Sequence, residues 1–266
     1  MRVLSSRDNP WIKHVHGLAT NARERRKHGE TLLDGAHLIA AALQRQWPLK
    51  AVVVAEHARG EPEIAALLAA LPAELALTQV PDALFAHLSP VETPSGILAL
   101  IDVPPPPPLA LAGAVVALDG VQDPGNLGTI LRTAAAAGVR EVLLGEGCAQ
   151  AWSPRVLRAA MGAHFVLAFA ERVDLGAALA DYRGRVLATG LTEGARALYD
   201  LDLRGPVAWL FGAEGQGVSA ALMARADCVV TIPMAGAVES LNVGAAAAVC
   251  LFEQARQCRM GGVGST

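Results

Sequence analysis

Ile232-Pro233-Met234-Ala235-Gly236-Ala237-Val238-Glu239-Ser240-Leu241-Asn242-Val243-Gly244 is the stretch whose reading decides the fold. Val229, Val230 and Ile232 read as a buried strand, and Pro233 has no N–H to give to a ladder, so the strand is expected to stop there. Residues 234–238 then make a loop. Between residues 241 and 252 the only strongly polar side chain is Asn242, and a helix apolar nearly all round belongs in an interior or an interface. It is too short to cross a bilayer. Glu239, Ser240 and Asn242 are therefore expected at the mouth of a buried helix, beside its unpaired N–H groups and the positive end of its dipole. That combination marks a candidate ligand site.

Working outward, the same strand–loop–helix grammar recurs. Strands are expected near 114–118, 140–145, 164–169, 185–189, 206–211 and 227–232, with helices near 127–137, 154–161, 174–181, 218–225 and 240–257. Such alternation implies an α/β fold with a mostly parallel sheet, in which ligands bind beyond the carboxyl ends of the strands. Upstream, residues 10–27 read as one helix, 32–33 as a strand, 36–44 as a helix and 50–55 as a strand. Helices over 63–70 and 81–88 and strands over 75–80 and 96–101 complete a first α/β unit. Five consecutive prolines, Pro104 to Pro108, favour a stiff polyproline II spacer and forbid helix or central strand. The domain boundary is placed there.

Composition fits this picture. The chain has 266 residues, 53% of them hydrophobic and only 4% aromatic, which predicts an Ala/Val/Leu-packed interior large enough for two domains. No run has the length of a membrane span and the first residues lack the apolar core of a signal peptide, so a cytoplasmic protein is expected. Cys148, Cys228, Cys250 and Cys258 form no C-x-x-C pair; they read as reduced packing residues, not as zinc ligands or disulfides. The net charge is −3, yet residues 1–29 carry seven Lys/Arg against two acids, a local balance of +5 that leaves −8 on the rest. A basic arm on an acidic body fits a polyanion docked at one end, or equally a solvated helix face.

Three loops after expected strands are unusually polar or glycine-rich. The first, residues 119–134, contains Asn126, which reads as a helix N-cap. Leu127, Ile130, Leu131 and Ala134 follow as a core-facing stripe that leaves Arg132 on the opposite side. Its glycines match neither G-x-G-x-x-G nor a P-loop. The second, residues 211–219, puts Gly212, Gly215 and Gly217 around Glu214, which permits a close approach of backbone to a ligand. The third is the stretch quoted above, where Ser240 could serve as a helix cap.

Together and in this order the three loops resemble the SpoU/TrmH family of RNA ribose methyltransferases in the SPOUT superfamily. The first family motif, Asn-x-Gly-x-x-x-Arg, is matched by Asn126, Gly128 and Arg132. The second, Phe-Gly-x-Glu-Gly-x-Gly, is matched from Phe211 to Gly217, and the third by Ile232, Pro233, Met234, Ser240, Leu241, Asn242 and Val243. Gly35-Ala36-His37 and Pro94-Ser95-Gly96-Ile97 give residues 1–103 the look of the family's L30e-like substrate-binding domain. Residues 104–108 are then a linker and 109–266 the methyltransferase domain.

The resemblance implies what spacing does not. It implies S-adenosylmethionine bound in a deep trefoil knot at the C-terminus, with two knots paired as a homodimer, although knots are otherwise almost absent from proteins. Gly212, Ile232 and Leu241 become the cofactor contacts, with Met234 beside them. Arg132 acts on the ribose 2′-hydroxyl of a structured RNA, ribosomal ahead of transfer RNA, while Asn126, Glu214, Ser240 and Asn242 orient it and the ribose. The chemistry needs no metal. Two other readings compete: a non-catalytic RNA-binding protein that kept the knot, expected to have lost Arg132 or Asn126, and a Rossmann-type nucleotide enzyme, for which the glycine spacing is missing.

Overall fold

The computed structural model describes residues 1–89, 91, 93–236 and 240–261. In chain order the first elements are β1 (Arg2–Val3), α1 (Pro10–Thr20), α2 (Ala22–His28), β2 (Glu30–Asp34), α3 (Ala36–Gln44), β3 (Ala51–Ala55), α4 (Pro62–Ala69), β4 (Ala76–Val80), α5 (Asp82–Leu88) and β5 (Ile97–Asp102). Then come β6 (Val115–Asp119), α6 (Pro124–Ala137), β7 (Glu141–Gly145), α7 (Pro154–Ala160), β8 (Ala168–Val173), α8 (Leu175–Ala178) and β9 (Arg185–Thr189). The chain continues through β10 (Arg196–Ala197), β11 (Val207–Gly212), α9 (Ala220–Met223), β12 (Cys228–Thr231) and α10 (Val243–Gly261). These elements form two compact units, one of Met1–Pro105 with Gln150–Phe165, the other of Pro106–Ala149 with Val166–Thr266.

The first unit has a mixed sheet in the order β1-β4-β3-β5-β2, with β5 antiparallel to both its neighbours. β3 is buried at every residue, as a central strand covered on both faces must be. The single helix expected over residues 10–27 is two. Asn21 sits in an extended conformation (φ −125°, ψ 114°), and its side chain accepts the Arg23 N–H at 2.8 Å to start α2. Asparagine offers the backbone this local alternative to a continued helix. Beside its buried apolar residues this unit holds several buried or half-buried polar groups. Asp34, 2% exposed, accepts hydrogen bonds from Ser95 Oγ and, at 3.0 Å, from Arg158 Nη1 on α7. Burial pushes its carboxyl above the usual range against the pull of those two partners. Glu30 accepts from Lys50 and lies 2.6 Å from His14 Nε2, while Lys50 reaches Asp102 at 2.7 Å. Burial acts to raise the Glu30 carboxyl, and the Lys50 and His14 contacts outweigh it and hold it low. Arg25, part of the basic arm, is buried: its guanidinium donates to Leu18 O at 2.7 Å and to Gln150 Oε1 at 2.9 Å. Arg7, Arg23, Arg26 and Lys27 remain exposed.

The second unit is a seven-stranded sheet, parallel throughout, in the order β10-β12-β9-β11-β6-β7-β8. On one face Val115, Ala117, Leu143, Ala188, Ala208 and Leu210 form a buried cluster with Leu175 and Leu222 of α8 and α9. Trp209 of β11 is fully buried and donates its indole N–H to Gln254 Oε1 of α10 at 2.8 Å. Losing that acceptor would leave a buried donor unpaired, at a cost of about 1–3 kcal/mol. α10 and α6 pack on each other. A Cβ added at Gly244 would lie 3.2 Å from Thr129 Cγ2, so only a small residue lets the two helices approach this closely. α8 and α9 are single turns, shorter than expected, and β8 begins later than expected because Ala163–Phe165 forms a 3-10 turn first. Of the cysteines, Cys250 is buried, with burial pushing its thiol to about 12, but Cys258 is exposed and so is not the packing residue expected. Among the described residues no helix is long and apolar enough to cross a membrane.

Candidate functional site

β6 and β11 pair in register, with Asp119 opposite Gly212, so the first two polar loops leave the sheet side by side. Asp123, not Asn126, caps α6: its Oδ1 accepts the Asn126 N–H at 2.7 Å, and Pro124 supplies the first helical turn. Asn126 is thereby moved into that turn and its side chain is freed from capping. The loop before it is pinned by a hydrogen bond from Ala149 N–H to Val121 O at 2.8 Å and by the buried Val121 side chain. Leu127, Ile130, Leu131 and Ala134 are fully buried and Arg132 is exposed.

The second loop is a tight hairpin closed by paired hydrogen bonds between Ala213 and Gly217 (2.9 and 3.2 Å). A Cβ on Gly212 would fall 1.9 Å from the Gly217 carbonyl carbon, which no side chain permits. In the third loop Asn242 is the residue that caps α10: its Oδ1 accepts the Gly244 and Ala245 N–H groups at 2.9 and 3.3 Å. Val238 and Glu239 lie outside the described residues.

These three loops are tied to one another by side chains. Asn242 Nδ2 donates to Asn126 Oδ1 at 2.9 Å, and Asn126 Nδ2 donates to Glu214 Oε1 at 2.6 Å. The direction is fixed by the cap. With its oxygen taken by two backbone donors, Asn242 must present its NH₂ to Asn126, which must then present its own to the carboxylate. Beside this line lies a cavity of about 590 Å³, within the range of a small-molecule site. Gly212, Ile232, Met234, Leu241, Glu214, Ser240 and Asn242 all line it.

Arg132 does not belong to that lining and makes no hydrogen bond or ion pair among the described residues. Six positions along the helix place it about 120° around the axis from Asn126. Sequence reasoning passed over the segment after β9. Thr189, Gly190 and Leu191 also line the cavity, and the available signal was positional, since a strand of the same parallel sheet must open at the same edge. Among the described residues of the lining Glu214 is the only charged one. Among the described residues no group of three or more His, Cys, Asp or Glu could hold a metal ion.

Residues 113–252 match the SpoU rRNA Methylase family, and residues 9–99 match the MRM3-like substrate binding domain. The chain belongs to the SpoU rRNA Methylase family. A relative within this SpoU family, the 23S rRNA (guanosine(2553)-2′-O)-methyltransferase RlmP of Bacillus subtilis, is 33% identical over 255 residues, 95% of this chain and 98% of the relative. Among solved structures, an RNA 2′-O ribose methyltransferase 34% identical to this SpoU protein matches with a TM-score of 0.82 over 98% of this chain and 100% of the other. The SpoU methyltransferase AviRb from Streptomyces viridochromogenes, in complex with AdoMet, is 26% identical and matches with a TM-score of 0.81 over 95% of this chain and 98% of its own.

Proposed function

We propose that this protein methylates a ribose 2′-hydroxyl in ribosomal RNA, taking the methyl group from S-adenosylmethionine. The observation that carries the reading is the hydrogen-bonded line Asn242–Asn126–Glu214, which joins all three loops at one cavity. The lining fits the cofactor: among its described residues the charge is a carboxylate, that of Glu214, suited to a cationic sulfonium, and glycines at 190, 212, 215 and 217 leave backbone accessible. When bound, S-adenosylmethionine supplies a methyl group activated by that positive sulfur. Gly212, Ile232, Met234 and Leu241 hold the cofactor in this reading.

Displacement of this kind needs the hydroxyl in line and kept from wandering. Asn126 and Asn242, their amide orientations fixed by the α10 cap, hold Glu214 in place, and Ser240 and Asn242 face the ribose across the cavity mouth. Arg132 carries a permanent positive charge and is a poor proton acceptor. Its uncommitted guanidinium is suited to gripping the target nucleotide's phosphate or hydroxyl and setting its approach. Arg7, Arg23, Arg26 and Lys27 supply non-specific phosphate contacts. Two copies pair as a homodimer, supported by Phe252 of α10 being 50% exposed. The C-terminal segment is knotted as in the family, and the enzyme works in the cytoplasm without a metal.

The test uses purified protein, labelled S-adenosylmethionine, and ribosomal and transfer RNA from a strain lacking the gene. Label should enter ribosomal RNA at a ribose that is unmethylated in that strain. Tight cofactor binding with no label in either RNA would instead favour the non-catalytic RNA-binding reading.

A further inference from the structure

Asp119 stands at the carboxyl end of β6, level with Gly212 in the β6–β11 register. Its Oδ2 accepts the backbone N–H of Ser219 at 2.8 Å, where the second loop turns into α9. The hairpin that carries Glu214 is therefore closed twice. Within the loop Ala213 and Gly217 pair; at its base the Asp119 carboxylate grips the returning chain. The first loop also leans on the second: Gly120 has φ +70°, and a Cβ built there would meet the Ala213 Cβ at 3.6 Å. A hydrogen bond from an N–H to a carboxylate is stronger than one between neutral groups, and this one spans one hundred residues of sequence to join the first two loops at their bases, away from the Asn126–Glu214 bond.

We propose that Asp119 is a positioning residue that sets the Glu214 hairpin against the first loop, so that Glu214 meets Asn126 and the cofactor cavity keeps its wall. Asp119 does not line the cavity and acts through the Ser219 backbone. The inference rests on the function proposed above. Cofactor affinity is a separate readout from methyl transfer, so the failure of one can be told from failure of the other.

Four variants are compared by calorimetric cofactor binding, single-turnover methyl transfer and melting: Asp119→Ala, Asp119→Asn, Ser219→Pro, and Asp119→Ala with Ser219→Pro. Asp119→Ala should weaken cofactor binding by about tenfold or more and slow transfer. Asp119→Asn keeps an acceptor oxygen and should stay within roughly threefold of wild type. Ser219→Pro removes the N–H at a residue whose φ of −61° already suits a proline ring. It should reproduce Asp119→Ala, and the double variant should be no worse than either single one. Wild-type affinity in Asp119→Ala overturns the proposal, as does an Asn variant as impaired as Ala with additive losses in the double. Should Asp119→Ala fail to fold, wild-type affinity in Ser219→Pro alone overturns it. A wild-type protein that binds cofactor yet methylates no RNA contradicts the proposed function and leaves the binding comparison intact as a test of the clamp.

Discussion

The two units use polar side chains in opposite ways. In the first, Asp34, Glu30, Lys50, Arg25 and Arg158 are committed to one another, to neighbouring side chains or to backbone around an apolar core. In the second, the parallel strands are held by apolar layers, and the polar groups at their carboxyl ends bond mainly across loops beside a cavity. A buried charged residue in the first unit is thus a poor guide to function, whereas a polar residue beyond a strand of the second is a good one. Arg25 illustrates the first half, since it counts toward the +5 of the N-terminal arm but is buried and hydrogen-bonded.

The sharpest way to break this contrast is Gly212→Ala. With a Cβ forced to 1.9 Å from the Gly217 carbonyl carbon, the hairpin has to open, and cofactor affinity should fall at least roughly a hundredfold while the apolar layers keep the unit folded. Calorimetric binding beside a melting curve checks this, and an unfolded variant would show that the loops do hold the second unit together.

A second probe is pH, which should act mainly on the first unit. Complete burial holds His164 neutral down to about 4, with Nε2 donating to Ala151 O at 2.8 Å, while in the unfolded chain it titrates near 6.5. A lowered folded pKa means protonation favours the unfolded state. Stability is therefore lost as pH falls from 6.5 to about 4, by about 3 kcal/mol in all. His87, lowered by burial and by the nearby His16 and Arg7, acts in the same sense. Melting of His164→Gln, which keeps a donor for Ala151, should fall less steeply over that window than wild type. Parallel curves would remove His164 from the account.

The smallest effect separates two neighbouring arginines. Arg26→Ala should reduce the salt slope of RNA binding by about one phosphate contact, roughly 0.7–0.9 in log–log terms, without loss of stability. Arg25→Ala should leave the slope alone and cost about 1–3 kcal/mol of stability through its orphaned partners. Salt titrations of RNA affinity on both variants decide it.

Much of the second unit was legible because its signals are local. Proline and glycine punctuation and apolar runs predict the longer strands of the second unit and single out three polar loops, while the individual cavity residues Gly212, Ile232, Met234 and Leu241 come from the family resemblance and Thr189, Gly190 and Leu191 from neither. Asn126 as a cap was a misreading, because Asp123 and Pro124 three and two residues earlier satisfy the helix start better. Short elements such as β1 and β10, two residues each, carry no periodicity to detect. The least legible feature is the excursion Gln150–Phe165. Its helix α7 looks like one more step of the alternation, yet it belongs to the first unit, where Arg158 meets Asp34 and Thr31 donates to Trp152 O at 2.6 Å. Those pairings span more than a hundred residues and leave no mark in either segment alone. A cut at the prolines would therefore expose the buried Trp152, Val156 and Leu157.

The proposed chemistry has Arg132 set the approach of the ribose beside the Asn242–Asn126–Glu214 line, and replacing Arg132 tests it most directly. Single-turnover transfer from labelled S-adenosylmethionine to RNA is measured for Arg132→Ala beside cofactor binding and melting. The account predicts that transfer falls by about a hundredfold or more while cofactor affinity is unchanged and stability stays within the ~0.5 kcal/mol usual for an exposed position. Wild-type turnover in Arg132→Ala would contradict it.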